Sequence, residues 1–398
     1  MPRAGSAFLL SMLYALALFQ RAAFSSVSPA LRSEFSLSPS DLGNLSEVFF
    51  WAYLIAIIPS GMLVDKYGPR RVSVVGALMA SVGCSVFAAG ASFAFLATSR
   101  MLIAVGCGVA FLCMMRFIMT HYVDRKATFA GRGLLLGALG VMVSGAPLAW
   151  ALTRLSWRDM WLVLAVISAL IGFLVWRILP EEPQRRGGQM ARDGKPKLPL
   201  QALFAVLQSP STYLGIAIVA GLSGSFYAFA NYVGTQLLAG AGYSRAVVGW
   251  EISILLTGYG IGCAFLGWIG DRRGMRTKAL MLAIICAILG WGVMLAIVNI
   301  SPVWAALVFF AVGVASGATP LIYALVADQH PRAHAGLAIA AVTCGIPLGS
   351  TLAQMAATRL QGMAAIEPIV AGCAIALLGA WQLLRYARVR EVRRFAAA

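Results

Sequence analysis

Charge is scarce in this chain, and acid is scarcest. Only 11% of the 398 residues are charged, with 14 aspartates and glutamates and three histidines in all. Soluble domains devote about a quarter of their residues to charge, so these side chains cannot clothe a water-exposed globule. The seven cysteines (Cys84, Cys107, Cys113, Cys263, Cys286, Cys344 and Cys373) all lie inside apolar runs. They form no ligand-like pairs, which argues against a zinc site and against a disulfide framework. No nucleophile–base pattern and no nucleotide loop appears. The glycine-rich Gly258–Gly262 lies within an apolar run and reads as close helix packing. An enzyme is therefore not expected, nor is a metal or other cofactor. Uphill work by this chain would draw on an ion gradient or exchange.

What the sequence does have is hydrophobicity, at 60% of its residues. Apolar runs of about 20 residues, each enough to cross a bilayer core as a helix, recur at 7–30, 43–64, 72–92, 95–118, 133–153, 159–179, 211–236, 247–270, 279–298, 302–326, 335–357 and 366–386. Continuous runs, unlike alternating ones, exclude a transmembrane barrel. The fold class is an all-α polytopic membrane protein with twelve transmembrane helices. The first run reads as an uncleaved span, since its flanking n-region is thin and no clear small-x-small cleavage site follows it.

The net charge of +17 would fit a nucleic-acid binder, but its placement does not. With the amino terminus in the cytoplasm, Arg32, Arg154, Arg158, Arg245 and Arg359 fall outside and Arg21 and Arg100 fall within spans. The other 24 of the 31 lysines and arginines lie on the cytoplasmic side. This is the positive-inside pattern of a multi-pass protein of the cell membrane with both termini cytoplasmic. The basic tail Leu383–Arg394 then belongs at anionic headgroups, and no nucleic-acid partner is expected.

After the sixth run comes Leu179–Pro199, rich in proline, glycine and charge, a linker by composition. It divides the chain into a first bundle at 1–178, a linker at 179–205, a second bundle at 206–386 and a basic tail at 387–398. The halves echo each other. At an offset of 206, Gly43, Tyr53, Gly61, Asp65, Gly68 and Arg70 match Gly249, Tyr259, Gly267, Asp271, Gly274 and Arg276. Gly145-Ala-Pro-Leu148 likewise pairs with Gly345-Ile-Pro-Leu348. Two pseudo-symmetric six-helix bundles are the mark of several secondary transporter folds, with the binding site near mid-membrane where the halves meet.

The hinge between spans two and three, with Gly61, Asp65, Gly68, Arg70 and Arg71 in register, resembles the signature loop of the major facilitator superfamily, and its echo at Asp271, Gly274 and Arg276 is usual there. In residue terms, Gly61 allows close helix approach, Asp65 can meet a helix N-terminus or a basic partner, and Gly68 permits a tight turn. The resemblance implies that this hinge gates an alternating-access cycle. Arg100 opens a stretch similar to the family's arginine motif of span four, with Ala104 where glycine is usual. Arg21, Gly43, Tyr53, Pro59, Gly61 and Asp65 resemble the anion:cation symporter branch.

Within that resemblance Arg21, some fourteen residues into span one, engages an anionic substrate. Unpaired arginine at such depth is costly and rarely kept without a partner or a wet cavity, and Glu47 is the acid available as a partner. The mirror position of Arg21 is Tyr227, with Asn231 and Tyr232 close by, so one arginine and several neutral groups point to a small organic anion or zwitterion. Tyr53 and Tyr259 are further candidates for the cavity wall. Glu47 and Glu251, the carboxylates well inside spans, are candidates for proton coupling, while Gln20 stands where some symporters of the branch carry aspartate. Arg100 and Arg116 are read as structural or cavity residues. The function expected is proton-coupled symport by a monomer, with lipid, the coupling ion and the substrate as its partners. A proton-coupled exporter is the rival within transport, and a non-transporting receptor or scaffold the rival outside it.

Overall fold

A computed structural model describes residues 4–181, 199–272, 274–297, 302–357, 359–360 and 362–396. Most of the linker lies outside the described residues. The rest is helical, in the order α1 Ala4–Phe35, α2 Pro39–Ala89, α3 Phe93–His121, α4 Lys126–Val143, α5 Ala146–Ala151, α6 Trp157–Ile178, α7 Pro199–Leu207, α8 Pro210–Val219, α9 Ser225–Ala228, α10 Gly234–Gly240, α11 Arg245–Arg272, α12 Arg276–Ile297, α13 Pro302–Ser316, α14 Thr319–Gln329, α15 Ala335–Thr343, α16 Gly345–Ala357 and α17 Glu367–Ala396.

Eleven described stretches are long and apolar enough to cross a membrane. One of them, Ser40–Ala89, holds 50 residues, about 75 Å of helix and enough for two crossings. Its backbone leaves helical geometry at Gly68 (φ 80°, ψ 160°), directly before Pro69. Spans two and three are thus two rods joined at a single glycine, and the twelve expected crossings are accounted for.

The chain separates into two compact units. The first comprises Met1–His121, Leu136–Ala202 and Ala333–Ala340; the second comprises Tyr122–Leu135, Leu203–Arg332 and Ala341–Ala398. Each unit therefore takes in one short segment from the other half of the sequence, a trade that the boundaries drawn from composition did not contain. In the first unit Phe24, Phe87, Trp157 and Trp161 are buried together, with the rings of Phe87 and Trp161 4.2 Å apart. In the second, Phe229 packs 4.5 Å from Trp291 and 5.5 Å from Phe309. Lipid is as apolar as these cores, so close packing at small residues has to hold the helices together. A Cβ added at Gly317 would stand 2.6 Å from the backbone nitrogen of Cys263, which fixes how near α11 and the end of α13 lie.

Several spans are interrupted. Span five breaks at Ser144–Gly145 between α4 and α5, span ten between α13 and α14, and span eleven between α15 and α16. Span seven keeps its course but contains two π turns, Ala220–Gly224 and Phe229–Val233. Such widened turns are uncommon in helices and concentrate where function needs irregular backbone.

Candidate functional site

Asp65 stands three residues before the break at Gly68. Its Oδ1 lies 2.7 Å from Nε of Arg116 and accepts the amide of Gly336 at 2.9 Å, while Oδ2 accepts the amide of Leu337 at 2.8 Å. Those amides begin α15, whose first turn has no carbonyls of its own to bond. A carboxylate there also meets the positive end of the helix dipole. Both side chains of the Asp65–Arg116 pair are 9% exposed. Glycine makes the approach possible. A Cβ on Gly61 would lie 2.8 Å from Cβ of Ala340, and one on Gly336 would lie 2.8 Å from Asp65 Oδ1.

The second hinge repeats the device with different partners. Asp271 Oδ2 accepts the amide of Thr128 at 2.6 Å and its hydroxyl at 2.8 Å, capping the first turn of α4. Oδ1 accepts Nε of Arg276 at 2.6 Å. The same guanidinium reaches Asp328 at 2.7 Å, and Asp328 also pairs with Lys126. Gly274, at φ +60°, ends α11 in the left-handed conformation that glycine adopts readily.

Arg70 departs from its sequence mate. Its Nε and Nη2 donate to the carbonyl of Trp176 at 2.9 and 2.7 Å, close to the end of α6, and Nη1 lies 3.3 Å from Glu181. Arg71 is more exposed and reaches Glu181 at 3.6 Å. Both arginines hold the end of span six instead of an aspartate.

The membrane-embedded candidates separate into distinct settings. Arg21 is half-buried, and no carboxylate among the described residues pairs with it; Glu47, its expected partner, is exposed. Arg100 is 1% exposed, sandwiched between the rings of Phe24 and Phe49 at 4.3 and 4.5 Å, with Nη1 unpartnered. Glu251 is buried, in contrast to Glu47. Tyr53 is half-buried against Gly108. Tyr259 is buried, stacked 4.6 Å from Phe226, its hydroxyl 3.0 Å from that of Thr319, which in turn meets Ser223 at 2.9 Å. Tyr227 is half-buried at the edge of Tyr259. Asn231 and Tyr232 are exposed on the second π turn.

Sequence reading missed four groups that the hinges use: the Thr128 cap, Lys126, Asp328 and the ion pair of Arg116 with Asp65. Acid scarcity was the available signal for Asp328. The pairing of Arg116 had none, because its partner is 51 residues away on another span.

A family model described as Major Facilitator Superfamily matches residues 10–390. The chain is 24% identical over 282 residues to the probable 4-methylmuconolactone transporter of Cupriavidus pinatubonensis, covering 69% of this chain and 64% of that protein. It is 28% identical over 177 residues to the probable sulfoacetate transporter of Cupriavidus necator, covering 42% and 38%. The matches thus span less than two thirds of either relative. Among solved structures, the Escherichia coli fucose:proton symporter superposes with a TM-score of 0.74 at 13% identity, over 96% of this chain and 98% of that one.

Proposed function

Because the chain belongs to the major facilitator superfamily, we propose that it is a secondary transporter moving a small organic anion or zwitterion by alternating access, in symport with protons. The observation that carries the anionic substrate is Arg21: a half-buried guanidinium in the first span with no carboxylate among the described residues to answer it. Guanidinium is always charged and presents a planar fork that fits a carboxylate or sulfonate. Unpaired charge at this depth is kept where a ligand or water meets it. The names of the relatives agree with a small organic substrate. Tyr53, Tyr227, Asn231, Tyr232 and Tyr259 are the groups assigned to its neutral part.

On the same reading the two hinges, with Gly61, Asp65, Gly68, Arg70 and Arg71 in one and Asp271, Gly274 and Arg276 in the other, form and release during the cycle and face the cytoplasm. Purified protein in proteoliposomes, offered a panel of carboxylates and sulfonates, tests the substrate class. Arg21→Ala is expected to abolish saturable uptake, and Arg21→Lys to weaken it strongly, since an ammonium lacks the fork. Unchanged uptake by Arg21→Ala removes the arginine from its role. Export is a second reading, favoured by the break in span five at Ser144–Gly145, where Ser26 donates to the freed carbonyl of Ser144 at 2.8 Å. Substrate accumulation in cells with and without the protein separates the two directions.

A further inference from the structure

Every other buried or half-buried carboxylate of the two hinges has a cation beside it: Asp65 has Arg116, Asp271 has Arg276, and Asp328 has Lys126 and Arg276. Glu251 does not. It lies on the second turn of α11, is 3% exposed, and its Oε2 has no hydrogen-bond partner. Its position on the helix explains the burial. Glu251, Leu255, Gly258 and Gly262 follow one another at spacings of four, three and four residues and so share one face. That face packs on α13: a Cβ at Gly313 would meet the carbonyl of Leu255, and one at Gly262 would stand 2.7 Å from Cα of Val314.

Among the described residues, the surroundings offer no counter-charge. The facing part of α13, Pro302–Phe310, contains no titratable side chain, and neither does α10. Nor does the last stretch of α12 that precedes them, Leu289–Ile297. Tyr243, in the turn before α11, is a titratable group near enough for the charge of Glu251 to act on it. Tyr232, on the π turn packed against the same helix, is exposed. A lone ionised carboxylate in such a place would forfeit its hydration with nothing in return, and such groups take up a proton instead.

Location adds a direction. Glu251 and Asp271 sit on one continuous helix about 20 residues apart, and at 1.5 Å per residue this is about 30 Å, the thickness of the hydrocarbon core. Asp271 marks the hinge face, so Glu251 belongs to the opposite one.

We propose that Glu251 is the binding site of the coupling proton, loaded as a neutral carboxylic acid in the conformation described here and discharged when its face of α11 is hydrated in another. This deepens the symport reading given above and rests on it for the substrate. The step is a proton binding and leaving one carboxylate oxygen, with no other bond changed.

The test uses Glu251→Gln, which keeps the shape of the neutral acid but cannot release a proton. In proteoliposomes, an imposed gradient of one pH unit drives about tenfold accumulation through a one-proton symporter. Wild type is expected to show this, and Glu251→Gln to show none, while still exchanging labelled for unlabelled substrate across the membrane. Sulfoacetate and 4-methylmuconolactone are the probes. Glu251→Asp, which keeps the acid, is expected to restore part of the gradient response. Gradient-driven accumulation that survives in Glu251→Gln overturns the proposal. Infrared difference spectra between wild type and Glu251→Gln at neutral pH supply a readout that needs no substrate. A protonated carboxyl band in wild type supports the site, and an ionised carboxylate band overturns it. Should no probe be exchanged by wild type, the substrate reading falls while the spectrum still decides whether Glu251 holds a proton.

Discussion

The hinges at Asp65 and Asp271 come from the same sequence pattern 206 residues apart, yet they are built differently around the aspartate. Asp65 receives two backbone amides and one guanidinium. Asp271 receives one amide, one hydroxyl and a guanidinium that is itself shared with Asp328 and assisted by Lys126. The first centres on a buried ion pair; the second is a network of two acids and two bases. Both hinges cap a helix start with an aspartate, and each pairs it with a cation from a different place in the chain.

Removing the carboxylate measures that difference most directly. Asp65→Asn removes one partner of a buried ion pair, a change that costs about 3–5 kcal/mol. A large drop in the thermal unfolding midpoint in detergent is expected. Asp271→Asn leaves Arg276 still paired with Asp328, so its cost should fall to about 1–3 kcal/mol. Equal drops for the two variants would break the comparison.

Backbone conformation gives a smaller contrast. Gly68, at φ 80° and ψ 160°, occupies a region almost closed to side chains, whereas Gly274, at φ 60°, lies in the left-handed helical region. Gly68→Ala is expected to cost about 1–3 kcal/mol and Gly274→Ala about 1 kcal/mol. The same midpoint assay reads both, and a reversed order would show that the two turns respond differently from their torsion angles. The smallest effect falls at Arg70. Its guanidinium serves a helix-end carbonyl, a contact worth about 0.3–1 kcal/mol, so Arg70→Ala should barely move the midpoint. Arg276→Ala, which strips a partner from two aspartates, should move it clearly.

Much of the fold was legible because the signals were long. Twelve apolar runs of membrane-crossing length and the one-sided distribution of basic residues leave few alternatives. Gly61, Asp65 and Gly68 were legible one by one, since close approach, helix capping and positive φ are local demands on residue type. The asymmetry between hinges was also written in the chain, though faintly. At the offset of 206, Asp328 aligns with Tyr122 and Arg116 with Ile322, so the second network and the first cation each lack a counterpart. Equating Arg70 with Arg276 ignored that Arg276 has Asp328 within reach whereas Arg70 meets the end of α6. Glu47 and Glu251 looked alike because both sit in the outer part of an apolar run. Which face of the helix each occupies depends on packing with other spans, and only the folded backbone sets that.

The capping of α15 by Asp65 has a consequence in time. The carboxylate and the amide of Gly336 are 271 residues apart in the chain, so a ribosome adding about 5–20 residues per second makes the second about 14–54 s after the first. Throughout that interval the nascent first bundle carries an aspartate whose amide donors have not yet been translated. A chain halted before span eleven would emerge with that cap permanently missing.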